Sequence, residues 1–312
     1  MPSRWQCLFI VAFWLAAMGL LYVRELEPFF RDHDPPPYVI ELTAETQSVH
    51  PKVIWKAFQN GQEEPSYLVK TWMDHNEDDD SFTLHGEIRP APLQSETTKA
   101  DLIMQHVTSE YRVSREGKLL NFNVDAVLSR RPFGIANLNF SPELKLTGTV
   151  VDGPEMLAQL QLPQLKGLVP GLEKTFRFPV SQNGTIFLPL HPVHKIHGVR
   201  PGKTWRVPEV DPLGNAAKAW LRSNFPIGLP DRDDRFLDAR VRDREEQFPY
   251  DMGDGEIHYC WVIDYTDPEG EKSKTAATTW VEVDTDLVLC QDAKSEAGQL
   301  RLVRDSTKSK VR

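Results

Sequence analysis

Apolar and polar residues alternate along most of this chain with the period of a half-buried β-strand. Over residues 120–128, Leu120, Phe122, Val124, Ala126 and Leu128 take one parity, and Asn121, Asn123, Asp125 and Val127 take the other. The first set therefore faces a core and most of the second faces water. A run at 107–113 and the turn Arg115-Glu116-Gly117-Lys118 precede it and predict a hairpin. Short runs at 82–88, 144–151, 176–180 and 186–190 extend the pattern, with Asn183-Gly184 between the last two as a strong two-residue hairpin signal. Four more strands are expected at 256–265, 275–283, 287–291 and 300–304. A sheet built from successive hairpins is antiparallel, so the fold class read from the pattern is mainly β, an antiparallel meander.

Two segments break the alternation. In the first, Asp211 can cap a helix, Pro212 fits its first turn, and Leu213, Ala216, Ala217, Trp220 and Leu221 recur at helical spacing before Asn224 and Pro226 stop it. That apolar stripe needs a surface to cover, and a sheet face is the surface available. In the second, residues 7–23 contain no charge and would span roughly 26 Å as a helix, near the lower limit for crossing a bilayer. The flank before this run is purely basic, with Arg4 and the amino group, whereas Arg24 and Arg31 are mixed with Glu25, Glu27, Asp32 and Asp34. Such asymmetry predicts a cytoplasmic amino terminus and an extracytoplasmic remainder in the cell membrane. A cleaved signal peptide is the rival reading, although Ala16, Ala17, Met18 and Gly19 make a poor cleavage site in the middle of the run.

Asp34-Pro35-Pro36-Pro37 cannot continue a helix and reads as a stiff spacer. The expected organisation is an anchor at 1–24, a proline-containing spacer at 25–37 and a β-rich region at 38–312, with room for two similar sheet units, the second at about 203–306. An echo supports the idea of equivalent elements. Pro170-Gly171 leads into a short strand ending at Pro179, and Pro201-Gly202 into one ending at Pro208. Both are expected as edge strands, because proline cannot donate to a ladder on both sides.

Charge removes one class of function. With 45 acidic against 36 basic residues and a net charge of -9, the chain lacks the clustered Lys and Arg that a nucleic acid requires, so no nucleic-acid partner is expected. The acidic run at 77–80 reads as a solvated loop. No G-x-S-x-G, H-E-x-x-H, C-x-x-C or phosphate-cradling glycine loop is present, which leaves no catalytic residue to nominate, no cofactor implied and an enzyme disfavoured. Asp284-Thr285-Asp286 resembles a metal-phosphate carboxylate pair, but lies between two strands where Asp is a preferred turn residue. His191, His194 and His197 recur at intervals of three. They are the weak metal candidate, since a polyproline-like segment around Pro192 would bring them to one side, and a solvated loop is the alternative. Cys260 and Cys290 invite a disulfide. If the last strands pair in order, however, a strand intervenes, and next-nearest strands stand about 9.5 Å apart against a bridging limit of roughly 7 Å, so two separate buried thiols are expected.

The succession Cys260-Trp261-Val262-Ile263-Asp264-Tyr265, Thr279-Trp280-Val281, Leu287-Val288-Leu289 and Leu300-Arg301-Leu302 resembles the end of an uncharacterised family of bacterial extracytoplasmic β-sheet proteins. These are similar to the periplasmic lipoprotein carriers and receptors. The resemblance covers about the last 70 residues and implies a curved, open half-barrel around a covering helix, able to hold acyl chains. It carries no lipid-binding residue with it, and roughly 200 residues of additional sheet precede it here. Tyr259, Trp261 and Tyr265 share one face of their strand, opposite His258, Cys260, Val262 and Asp264. If the sheet curves, that aromatic side must be filled, either by the helix around Trp220 or from outside the chain. The two fillings predict a structural accessory subunit and a membrane-anchored binding module for a lipid or another envelope component, with Tyr259, Trp261, Tyr265 and Trp220 as the candidate ligand wall.

Overall fold

The computed structural model describes residues 13–15, 17–19, 52–91, 102–114, 118–130, 143–151, 155–161, 174–179, 188, 191–208, 236–250, 252, 255–267, 275–295 and 298–305. Fifteen strands lie among them. In chain order they are β1 (Val53–Gln59), β2 (Tyr67–Asn76), β3 (Ser81–Pro90), β4 (Leu102–Ser114), β5 (Leu119–Arg130), β6 (Glu143–Val150), β7 (Glu155–Gln161), β8 (Lys174–Pro179), β9 (Thr204–Pro208), β10 (Phe236–Val241), β11 (Glu246–Gln247), β12 (Tyr259–Thr266), β13 (Thr275–Glu282), β14 (Val288–Ser295) and β15 (Gly298–Arg304). The expected helix at 211–226 with Trp220, the hairpin turn Asn183-Gly184 and most of the apolar run at 7–23 lie outside the described residues. Among the described residues, no helix is long and apolar enough to cross a membrane.

All strands join one antiparallel sheet. Its order is β8-β7-β6-β5-β4-β3-β2-β1-β15-β14-β13-β12-β10-β9, with β11 pairing β12 to one side. Two meanders, β1–β8 and β9–β15, are thus fused where β1 meets β15, with Trp55 opposite Arg304 and Ala57 opposite Leu302. The sheet stays open, since β8 and β9 do not pair, and the result is an open half-barrel. These two are its edges, as the repeated turn-strand-proline pattern predicts. Each ends in a proline, which withholds a donor from any further strand.

The inward residues form one contiguous core, with Trp55, Val69, Val124, Leu146, Met156, Leu237 and Ile263 all at most 1% exposed. The hairpin β4–β5 is present as expected, but a register shift after Arg112 puts Leu119, 2% exposed, opposite Val113 in place of Leu120. A bulge moves one residue across the pleat, and no alternation pattern reveals it. On β5–β6, Phe122 opposes Gly148, and a Cβ placed on Gly148 would stand 2.2 Å from the Phe122 ring. The ring occupies the space the glycine vacates. Gly148→Ala is expected to lower stability by about 1–3 kcal/mol in urea unfolding, and Phe122→Leu in the same background should recover part of the loss.

On the outer side a smaller cluster, comprising Phe248, Met252, Cys260, Leu289, Cys290 and Val303, is packed by Phe58, Tyr250, Trp280 and Leu287. The segment after β11 therefore covers the back of β12–β15. Arg242 fixes its approach, donating to Asp264 at 2.7 and 2.9 Å and to Glu246 at 2.9 Å.

Candidate functional site

Between the two edge strands in sequence, residues 191–199 make a strap over the inner face of the sheet. Gln291 of β14, 4% exposed, donates through its side-chain amide to the carbonyl of Leu188 at 3.1 Å. His191 Nε2 donates to the β3 carbonyl of His85 at 2.8 Å, its ring edge-on to Tyr111. Gly86 leaves room for this approach, because a Cβ there would stand 2.5 Å from Ser109 Oγ and a tight 3.3 Å from the imidazole. Arg304 of β15 donates to His194 Nδ1 at 3.1 Å. The main chain then pairs with the β13–β14 connection: Val288 N–H donates to the His194 carbonyl and Ile196 N–H to the Asp286 carbonyl, each at 3.0 Å. Ile196 and Val199 enter the main core.

This overturns the solvated-loop reading of the histidines. His191 is 5% exposed and belongs to the interior. Burial pushes its imidazole down to about 4, against the smaller opposing effect of the carbonyl bond. The three rings also serve three different partners, a β3 carbonyl, the Arg304 guanidinium and, for His197, the Asp286 carboxylate at 2.9 Å. Among the described residues no group of three or more His, Cys, Asp or Glu side chains is gathered to hold a metal ion. The spacing of three suggested convergence only because the segment's contacts with distant strands are invisible in sequence.

Asp284-Thr285-Asp286 is the turn expected, with Asp286 at φ 59°. It has a second task that its sequence does not advertise, since Asp286 holds the strap through both its carbonyl and its carboxylate.

The aromatic face divides. Tyr259 is 55% exposed and Ile257 66%, because β12 begins only at Tyr259, where it is flanked by the two-residue β11 on one side and the end of β13, through Val283 N–H, on the other. Trp261 is half-buried against the main core, and Tyr265 is fully buried in it. Trp220 lies outside the described residues. The opposite face is no less buried at Cys260 and Val262, both 0% exposed, and at Cys260 the segment after β11 packs against it. Beside Tyr265 the inner face narrows to small residues, Ala239 and Ala277 in register with it. Trp205 Nε1 and Thr279 Oγ1 are buried there without a hydrogen-bond partner among the described residues.

Cys260 and Cys290 are both buried and free, with β13 between their strands, as the pairing order predicts. Burial, and secondarily Glu282, pushes the Cys260 thiol up to about 12, and burial, with Asp292 beside it, raises the Cys290 thiol well above its ordinary value. Neither supplies a thiolate nucleophile at neutral pH. Among the described residues, the closest approach to a catalytic arrangement is His258 Nδ1 at 2.5 Å from Glu282, whose other oxygen accepts from Thr285. Here the carboxylate, not the imidazole, stands in the middle, so the histidine cannot take the hydroxyl proton as a general base does.

An open concavity lies on the outer side. It is a cleft of about 380 Å³ between the outer faces of β1 and β15, the turn after β1 and the segment after β11. Phe58 stands opposite Arg301, and Lys56 opposite Val303. The Arg301 guanidinium lies over the Tyr250 ring at 4.4 Å and spends its Nε on Asp292 at 3.0 Å. Lys56 sits 3.6 Å from Asp305, beyond hydrogen-bond range, and Glu63 completes the rim. Burial, with Asp292 beside it, pushes the Tyr250 phenol up to about 12 and keeps it neutral. Sequence reading missed these residues together with β1, although Val53, Trp55 and Ala57 alternate with Ile54, Lys56 and Phe58 as a strand requires.

No family model matches the chain, and no curated protein matches it. A solved structure similar to it is the beta-barrel-like protein of domain of unknown function DUF1849 from Brucella abortus. That likeness has a TM-score of 0.40 at 8% sequence identity and covers 82% of this chain and 95% of that one.

Proposed function

We propose that this protein is an envelope binding or interaction module, tethered through residues 7–23, with no chemistry of its own, whose half-barrel is filled by its own chain and whose partners meet the outer surface. The observation that carries this reading is the strap. Where the resemblance to lipoprotein carriers implies a concave side open to an acyl chain, residues 191–199 occupy that side, tied by hydrogen bonds to β3 at His191, to β15 at His194, and to β14 and the turn before it at His194, Ile196 and His197. Displacing it would take the His191 donor from the His85 carbonyl and expose the buried side chains of His191 and Ile196, an expensive exchange for a carrier to make at each loading.

A lipid-carrying reading has one observation in its favour. Trp205 Nε1 and Thr279 Oγ1, buried beside the alanines, are polar atoms that a bound headgroup could satisfy.

Native mass spectrometry of the full chain, released from detergent, separates the two. The expected spectrum is that of the polypeptide alone, and Trp261→Ala should cost roughly 2–4 kcal/mol, somewhat less than a fully buried tryptophan, with no change in bound mass. A stoichiometric lipid on the wild type that disappears in Trp261→Ala would reject the self-filled reading.

A further inference from the structure

The outer cleft lies apart from the main core and meets the strap only through Arg304, which also lines it, and its chemistry is specific. Arg301 has one edge occupied: Nε holds Asp292 at 3.0 and 3.4 Å, and the guanidinium face rests on Tyr250. Its two Nη groups have no hydrogen-bond partner among the described residues, although the side chain is only 25% exposed. A guanidinium fixed by a carboxylate on one edge and an aromatic ring on one face is pre-organised to present its remaining N–H pair to a second planar or tetrahedral anion. The Lys56 ammonium, 37% exposed, lines the same cleft and is not hydrogen-bonded to Asp305. Across neighbouring strands the two side chains stand about 7–8 Å apart at their roots, close enough for one anion to meet both heads. Phe58 and Tyr250 supply apolar wall on either side.

Three carboxylates must be weighed against this. Asp292 and Asp305 are already engaged with the two cations, and Glu63 stands at the rim. Two half-committed cations with an apolar floor suit a ligand that gains from stacking as well as from charge, and not a bare inorganic ion. A volume of about 380 Å³ is at the small end of ligand pockets, and holds one ring or a short chain with its anionic group.

We infer that the cleft bounded by Lys56, Phe58, Tyr250 and Arg301 binds a small organic anion, a phosphate ester or carboxylate carried on an apolar body. Arg301 and Lys56 take the anion, and Phe58 and Tyr250 take the body. A phosphodiester lipid headgroup and a soluble phosphate ester share that chemistry. Because the cleft is outside the filled half-barrel, the inference stands whether or not lipid co-purifies with the core.

The test uses the full chain in detergent micelles, titrated calorimetrically with phenyl phosphate, and reconstituted beside phosphatidylglycerol vesicles in a flotation assay. Saturable binding of phenyl phosphate is expected, with inorganic phosphate at least about tenfold weaker because it has nothing to stack. Lys56→Gln and Arg301→Gln should each weaken it by about tenfold or more, and Arg301→Lys should not restore it, since an ammonium neither forks nor stacks. Binding of the soluble ester alone assigns a free metabolite-like anion. Vesicle binding that both variants abolish assigns a lipid headgroup, and either result upholds the site. Arg301→Gln also unties Asp292 and Tyr250, so the half-exposed Lys56→Gln decides if that variant fails to fold. No saturable binding of either probe, or binding that Lys56→Gln leaves unchanged, overturns the inference.

Discussion

Trp55→Ala is expected to be the most damaging single substitution in the protein, costing about 3–5 kcal/mol in urea or thermal unfolding. Trp55 is 0% exposed on β1, the strand that fuses the two meanders, and stands between Val69 and Arg304 in register. Its Nε1 donates to Thr71 Oγ1 at 2.9 Å, and Thr71 is itself 3% exposed. Truncation therefore opens a cavity at the seam and leaves a buried hydroxyl without its donor. The second loss can be separated from the first. Trp55→Phe with Thr71→Val removes both polar partners together and should be markedly milder than Trp55→Phe alone with Thr71 intact, because a hydroxyl left dry costs more than a hydroxyl removed. If Trp55→Ala shifts stability by less than about 1 kcal/mol, β1 is not the seam described here.

Acidification should unlock the strap through His191. Its imidazole is held at about 4 in the folded protein against 6.5 for the free group. The cause is burial, and the geometry says why no proton is tolerated. Nε2–H is committed to the His85 carbonyl, so an added proton must sit on Nδ1, which is buried and has no hydrogen-bond partner among the described residues. The folded value lies below the unfolded one, so the unfolded chain takes up the proton first. Stability is complete above about pH 6.5, falls as pH drops through the window to about 4, and has by then lost about 3 kcal/mol from this group. His191→Gln keeps a donor for the carbonyl and cannot titrate, so its unfolding midpoint should fall less than the wild type's between pH 7 and pH 4. Identical pH profiles for the two proteins would show that His191 is not the group responsible. Carboxylates titrate in both and cancel in the comparison.

The parts of the fold legible in sequence were those written as local alternation. β3, β5, β6, β12 and β15 each repeat apolar residues at every second position, because the pleat sends successive side chains to opposite faces, and the continuous apolar run of β14 marks a strand buried on both faces. Proline marked both edges for an equally local reason, the missing N–H. The separate thiols at Cys260 and Cys290 followed from strand order alone. The strap was illegible, because Pro192, His194 and His197 look like solvated loop until the strands beneath them are known. The same applies to Tyr259, whose parity matches Tyr265 but whose place at the end of β12 leaves it in solvent.

The cleft was out of reach for a related reason. Phe58 and Arg301 are opposed only because β1 pairs with β15, and Tyr250 joins them only because the segment after β11 folds across the back of the sheet. By itself, then, the sequence determined the strand periods, the antiparallel sense, the edge strands and the charge-free run near the amino terminus, all of which depend on neighbours a few residues away. The seam between first and last strands, the chain that fills the half-barrel, and the meeting of Lys56, Arg301 and Tyr250 were decided by tertiary structure alone. Each depends on which strands become neighbours, and that is settled by burying one continuous core, an energy summed over the whole domain and written in no single segment.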